Sequence, residues 1–392
     1  MNTIFKNFKV IELSSVLAGP SVGMFFAELG ADVIKVENPN TNGDVTRNWK
    51  LPNENDDELS SYFCSVNWGK KSIGLDFCNP AHYEILIKLI SKADLVTVSF
   101  KPGDDKKLNL DYETIRKINP KIIYAHITGF GLNDERTAFD AVLQAYAGFT
   151  YINGTKKSGP IKMPVALIDV LAAHQIKEAV LVAYINRLIN NEGSYINCSL
   201  LQSGISSLVN QASNYLVGKT IPEAVGSDHP NIVPYGTTYR TKDDKLLVLA
   251  VGNDKQFMNL CQVLDIIELS TDQKFSTNHK RVKNRIELNE IISDKIASRN
   301  SAELIGELNE KKIPAALVLN MKEVFEQKQA EELLLKGNNK KELLGVKSFC
   351  ANIDKVENKK DLLPPPRFNQ HGKEILKNVL NLNEEEINKI FL

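Results

Sequence analysis

The sequence predicts a doubly wound α/β protein with a smaller α+β unit, and three observations carry that prediction. Strand-like and helix-like stretches alternate over the first 200 residues, as they do where helices cover both faces of a parallel sheet. The first of them build a strand–helix–strand unit of about 30 residues, the signature of a parallel crossover. After Ser199 the texture changes to a long apolar helix, paired strands and a run of helices.

The elements follow in order. Phe8 to Leu13 reads as a buried strand, and Ser14 to Pro20 as a loop. Pro20 suits the first turn of a helix, where its missing N–H costs nothing. Ser21 to Leu29 has helical apolar spacing, Gly30 is placed as a left-handed stop, and Ala31 to Glu37 is the next strand. The loop between the two strands holds one glycine rather than G-x-G-x-x-G, which argues against a dinucleotide site. Glu37 matches the ribose-binding acid by position alone, and a solvated strand end fits it equally.

Asn38 to Asp57 is polar and rich in turn formers, so a long loop is expected. Strands then read at Ser72–Phe77, Asp94–Phe100 and Lys121–Ile127, with helices at Pro80–Lys92, Asp111–Ile118 and Phe139–Ala145. Lys101, Lys106 and Lys107 crowd behind the strand that ends at Phe100. Open α/β sheets bind ligands at such strand ends, and clustered ammonium groups there would suit phosphate; a solvated lysine turn is the alternative.

Pro164-Val165-Ala166-Leu167-Ile168-Asp169-Val170 leads into a long amphipathic run to about Leu188. A carboxylate at a helix N-terminus is favoured by the helix dipole, and it can serve either as an N-cap or as a nucleophile. A long helix is expected from Ser199 to Val217, and a strand pair at Tyr235–Tyr239 and Lys245–Ala250 turns at Thr241–Asp244. Helices fill Lys255 to Glu310, the tail from Lys322 reads as helical and charged, and Pro364–Pro366 as an extended strap.

Length and composition bound the function. Two domains are expected of 392 residues, and 43% hydrophobic with 24% charged residues describes a globular chain. Lys plus Arg and Asp plus Glu both number 48, so no charge excess invites nucleic acid or a membrane surface. The scattered Cys64, Cys78, Cys198, Cys261 and Cys350 lack metal or redox spacing, so no metal site is expected and a reduced cytoplasm fits. The first residues show no signal-peptide pattern, and no stretch approaches the roughly 20 apolar residues of a membrane span.

An ordered set of short motifs gives a sharper expectation. Val16-Leu17-Ala18-Gly19-Pro20, Leu29 to Glu37, Gly43-Asp44-x-x-Arg47 and Asn67-x-Gly69-Lys70-Lys71-Ser72 come first. Pro102-Gly103, Gly129-Phe130-Gly131, Gln144-Ala145-x-x-Gly148, Asp169 and His229-Pro230-Asn231-x-x-Pro234-Tyr235 follow. In this order they resemble the class III CoA-transferases of the CaiB/BaiF type, whose fold alpha-methylacyl-CoA racemase shares. The resemblance implies a Rossmann-like large domain from residues 1–220 and 321–392, a small domain at 225–320, and an interlocked homodimer.

It also implies acyl-CoA and a carboxylic acid as substrates, with no permanently bound cofactor. Asp169 falls on the family's nucleophile, which passes through mixed anhydrides and an aspartyl-CoA thioester. CoA contacts fall on Val16, Ala18, Asn38, Leu75, Ser99, Phe100, Lys101 and Lys107, and the acyl pocket on Leu17, Phe139 and Asp140. Asn38 and Ser99 replace a common arginine and asparagine. Two other readings remain. A racemase needs a second base, and Phe139 stands where racemases of this fold carry histidine, so His126 reads as a core or edge residue. A non-catalytic CoA-binding protein would not need the carboxylate at 169.

Overall fold

The computed structural model describes residues 3–339, 341–356 and 361–390. Two compact units emerge. The larger takes residues 1–147, 164–208 and 331–392; the smaller takes 148–163 and 209–330.

The larger unit is built on one sheet of six parallel strands: β1 (Lys9–Leu13), β2 (Asp32–Glu37), β3 (Lys70–Gly74), β4 (Leu95–Val98), β5 (Ile123–Thr128) and β6 (Ser194–Ser199). Their order in space is β3-β2-β1-β4-β5-β6, so the winding reverses between β1 and β4. Side chains alternate across the sheet. Ile11, Leu13, Ile34 and Val36 face one core, while Val10, Val33, Leu95 and Ile123 face the other.

The helices that matter for the site are α1 (Ala18–Glu28), α2 (Pro80–Ile90), α3 (Tyr112–Ile118), α4 (Asp140–Tyr146) and α5 (Leu167–Asn190). α1 starts three residues before the sequence suggests, with Leu17 at its N-cap and Pro20 inside its first turn. Gly30 follows it at φ +103°, the left-handed stop expected there. α5 buries Ala172, Ile176, Val180 and Ala183, a stripe at helical spacing, against the α1 side of the sheet.

Two expectations fail on the far side of Ser199. The helix there is broken, with segments Leu200–Ser206 and Val209–Leu216 and Val209 at φ +42° between them. The tail from Lys322 is helical only over Met321–Phe325 and Lys328–Glu331. It then forms an antiparallel hairpin, Leu334–Asn339 with Lys341–Val346. Leu335 of the hairpin joins Met24, Trp68 and Leu362 in a small buried cluster. The proline run beyond it is tied down through carbonyls: Gly69 N–H donates to Leu363 O (2.8 Å) and Arg47 Nη1 to Pro366 O (3.0 Å).

The smaller unit carries the expected strand pair, Tyr235–Arg240 with Leu246–Ala250, extended by Ala315–Leu317 into an antiparallel sheet. Helices between Asp254 and Glu310 cover it, and its core includes Leu247, Leu249, Phe257, Leu260 and Ile292. Among the described residues no helix is long and apolar enough to cross a membrane.

Candidate active site

In an open α/β sheet, ligands bind beyond the strand C-termini where the winding reverses. Here that point lies between the ends of β1 and β4, at Leu13 and Val98. The loops that leave these strands, Ser14–Leu17 and Ser99–Pro102, enclose a cavity of about 320 Å³ with the residues before α4 and the start of α5.

The first loop is held in an unusual shape. Val16 sits at φ +70°, a region β-branched residues avoid, at a cost of about 1–3 kcal/mol. Hydrogen bonds hold it there. Ser15 N–H donates to Ser99 Oγ (3.2 Å), and Val16 N–H donates to the Asp44 carboxylate (3.3 Å). Lys35 Nζ bridges Asp44 (2.9 Å), Glu12 (3.1 Å) and Ser14 O (2.9 Å), and Lys70 Nζ takes the other Glu12 oxygen (2.8 Å). Burial opposes ionisation of Asp44, but the Lys35 charge outweighs it and holds the carboxyl below its usual range. Gly19 completes the loop, because a Cβ there would collide with Ser14 Oγ.

Glu37 does not serve as a ribose acid or a solvated strand end. It is buried and accepts from Arg47 Nε (2.8 Å), Arg47 Nη2 (2.7 Å), Ser72 Oγ (2.6 Å) and Asp44 N–H (2.9 Å). Burial would raise its pKa, yet the Arg47 fork lowers it.

Asp169 is the third residue of α5, not its cap. The N-cap position is Ala166, which has no side chain to cap with. The orphan N–H groups are met from elsewhere: Asp140, first residue of α4, accepts the Ile168 N–H through Oδ1 (2.8 Å). Asp140 Oδ2 accepts from Gln144 Nε2 (2.7 Å), which also donates to Val165 O (3.1 Å). Asp169 is 6% exposed and lines the cavity. Burial, and then the negative charge of Asp140, push its pKa up to about 7.

The cavity brings together most of the residues the sequence suggested. Val16, Leu17, Ala18, Ser99, Phe100, Lys101, Phe139 and Asp169 all line it. Asn38 lines a neighbouring cavity of about 510 Å³, which shares Ser99 and Phe100. Three residues stand apart. Leu75 is fully buried in the sheet core, so its side chain offers no surface to a ligand. Lys107 is exposed and paired with Asp104 (2.7 Å). Asp140 is not among the lining residues and supports α5 through the Ile168 N–H.

Sequence reasoning missed Arg136, which lines the cavity with Asp134 and Thr137. Its guanidinium stacks 3.9 Å from the Phe130 ring centroid and grips Asp134 at 2.6–3.0 Å. An arginine six residues after Phe130, in a strand-end loop, was the available signal. Tyr62 was missed too. Burial, then the charges of Asp169, Asp140 and Asp44, push its hydroxyl up to about 12, and its ring packs edge-on against Trp49 at 4.9 Å.

Among the described residues no histidine lines this cavity. His126 is buried in β5, where Nε2 donates to Phe100 O (3.1 Å) and Tyr195 OH donates to Nδ1 (3.4 Å). It is a core histidine.

A buried carboxylate, lysine and arginine side chains and the N-terminus of α1 meet at the switch point of a parallel sheet, an arrangement that suits an anionic group. The chain matches the model of CoA-transferase family III over residues 5–372 and belongs to that family. It is a CoA-transferase, similar along its length to enzymes of that activity. The succinyl-CoA:glutarate CoA-transferase of Mus musculus is 35% identical, over 97% of this chain and 88% of that protein. The succinate–glutarate CoA-transferase of Agrobacterium fabrum is 37% identical, over 82% of each. Among solved structures, a CaiB/BaiF family protein from Brucella suis superposes with a TM-score of 0.85 at 34% identity, covering 97% of this chain and 100% of that one.

Proposed function

We propose that the protein moves CoA from an acyl-CoA to a short dicarboxylic acid, with Asp169 as the covalent nucleophile. The observation that carries this reading is Asp169 itself, buried in the cavity wall and basic enough to attack a thioester near neutral pH. The Asp169 carboxylate adds to the thioester carbonyl and expels CoA thiolate, leaving a mixed anhydride. The thiolate returns to the aspartyl carbonyl and releases the donor acid, leaving an aspartyl-CoA thioester. The acceptor carboxylate then attacks that thioester, and CoA leaves on the acceptor through a second anhydride. Every step exchanges one activated acyl group for another.

The residues present support each need of this sequence. Ala18 and Gly19 begin an 11-residue helix at the cavity, and their N–H groups suit the oxyanions formed at each addition. The Lys101 ammonium has no hydrogen-bond or ion-pair partner among the described residues and suits a phosphate or carboxylate; Arg136 on the same wall is already paired with Asp134. The dicarboxylate acceptor rests on the two glutarate-named relatives. CoA itself is a substrate here.

A racemase reading lacks its second base, since Phe139 lines the cavity with carbon and His126 is committed to the core. We also read the chain as half of an interlocked homodimer. Val182, Ile185, Leu188 and Ile189 on α5 are 55–75% exposed, a surface that suits cover by a second copy.

The test is a panel of CoA thioesters and free acids, with product CoA esters identified by mass. Transfer to glutarate or succinate and not to monocarboxylic acids of equal length is expected. Transfer to monocarboxylic acids alone would remove the dicarboxylate assignment.

A further inference from the structure

We infer that Asp140 is a positioning residue for Asp169: it fixes the first turn of α5 and opposes the Asp169 charge, so that acylating Asp169 relieves a like-charge repulsion. The inference rests on the reading of Asp169 as the nucleophile.

The geometry is unusual for an aspartate at a helix start. An acidic residue in the first turn ordinarily faces the free N–H groups of its own helix. Asp140 instead turns both oxygens away from the α4 backbone: one accepts from Ile168 of α5 (2.8 Å), the other from Gln144 one turn along its own helix (2.7 Å). Gln144 is fully buried and also holds Val165 O, three residues before Ile168. Asp140 and Gln144 thus grip the chain on both sides of the helix start that presents Asp169.

Two electrostatic effects follow, and they have the same sign. The positive end of α5 would stabilise an ionised Asp169, but Asp140 occupies the Ile168 N–H and takes part of that stabilisation. The Asp140 carboxylate also repels a second negative charge nearby, and it is the charged group that raises the Asp169 pKa. The other groups around Asp169 are Tyr62 from the turn Ser61–Cys64, whose field also includes Asp44, and Lys101, Arg136 and Asp134 on the cavity wall. Arg136 is neutralised by Asp134.

The charge balance shows why this helps. When a carboxylate oxygen of Asp169 bonds to the thioester carbon, the C–S bond breaks and its electron pair leaves on the CoA sulfur. One negative charge moves from Asp169 to the thiolate, and Asp169 becomes a neutral anhydride beside a still ionised Asp140. The repulsion present before the step is absent after it, so Asp140 favours attack without touching the substrate.

The test combines a stability cycle with a rate profile. Asp140→Asn keeps an oxygen for the Ile168 N–H and removes the charge; Asp140→Glu keeps the charge; Asp140→Ser is a second neutral acceptor should the amide variant fail to fold. Urea unfolding of the parent, Asp140→Asn, Asp169→Asn and the double variant is followed from pH 4.5 to 8.5. Trapping of acylated enzyme with hydroxylamine is timed over the same range. The stabilisation gained from Asp169→Asn at high pH should shrink in the Asp140→Asn background. The apparent pKa for acylation should fall by about one unit in Asp140→Asn and stay near the parent's in Asp140→Glu, with KM for acyl-CoA unchanged. Additive stabilities at every pH, with an unmoved profile, would overturn the role of Asp140 and leave the nucleophile standing. Acylation that persists in Asp169→Asn would overturn the nucleophile reading, and the positioning role of Asp140 with it.

Discussion

Lys35 reaches the Asp44 carboxylate at 2.9 Å in a site where both side chains are 1% exposed. Through it, a buried charge is tied to the loop that borders the cavity. Asp44 also accepts the N–H of Val16, the strained residue of that loop. Removing the carboxylate leaves Glu12 to serve both Lys35 and Lys70.

Asp44→Ala should therefore destabilise the protein by about 3 kcal/mol, since it leaves two buried lysines to share one carboxylate. The sign with pH is set by the lowered Asp44 pKa: its contribution is full above about pH 4 and is lost as the pH falls through the folded value. Urea unfolding at pH 7 and at pH 3 measures both, and equal destabilisation at the two would contradict the ion pair's role. Val16→Gly should act in the other direction, relieving strain by about 1 kcal/mol while raising KM for acyl-CoA as the loop slackens.

A second expectation concerns the lysines. Lys101 lines the cavity, and its ammonium has no hydrogen-bond or ion-pair partner among the described residues, whereas Lys107 is exposed and paired with Asp104. Lys101→Ala should raise KM for acyl-CoA about tenfold with little change in kcat, because contacts to the substrate's charged groups act equally in ground and transition states. Lys107→Ala should leave KM nearly unchanged. The reverse order, in steady-state kinetics, would put the anionic groups of the substrate on the outer turn.

These contrasts mark what the sequence could and could not reveal. Strands β1, β4 and β5 were legible because each is a short, mostly apolar run between glycine, proline or polar turns. The strand expected at Ser72–Phe77 lies instead at Lys70–Gly74, because Lys70 and Ser72 are buried against Glu12 and Glu37, partners that local sequence does not report. Burial in the sheet core also explains Leu75, whose apolar character served the core rather than a ligand. The hairpin after Leu334 was not legible, because its Lys, Asn and Glu content resembles a charged helix. Its packing partner, Trp68, lies far away in sequence, and Gly337 and Gly345 let it approach, since a Cβ on either would collide with the indole. The start of α5 was misplaced for a related reason: its capping oxygen comes from Asp140, 28 residues earlier. Local propensity does not report partners of that kind.

Burying Asp169 should carry a pH-dependent cost. Its folded pKa of about 7 lies above its ordinary 3.8, so the folded state holds the proton more tightly. Stability contributed by this group is full below about pH 4 and declines as the pH rises towards 7, by at most about 4 kcal/mol. Asp169→Asn removes that loss, and should be more stable than the parent at pH 8 and nearly equal to it at pH 4. Paired urea titrations at the two pH values check this. A variant less stable than the parent at pH 8 would mean that the carboxylate is held by favourable charge instead.

The same residue separates the enzymatic readings. As a nucleophile, Asp169 becomes an acyl anhydride and then a CoA thioester, both of which hydroxylamine cleaves. The wild type incubated with donor acyl-CoA and hydroxylamine should gain a hydroxamate at position 169, found by peptide mass. Asp169→Ala and Asp169→Asn should both lose transfer by more than about a thousandfold, since neither can form the covalent intermediate. CoA binding by calorimetry should survive in both, because Ala18, Ser99 and Lys101 are untouched. The rate of labelling in the wild type should rise as the pH passes through about 7, since only the ionised carboxylate attacks. Racemisation of a 2-methylacyl-CoA without an acceptor acid would require a second proton carrier that the cavity does not offer, and would overturn the transferase chemistry. Transfer retained by Asp169→Ala would place the nucleophile elsewhere, and leave Asp169 as a buried acid that the fold bears at a cost in stability.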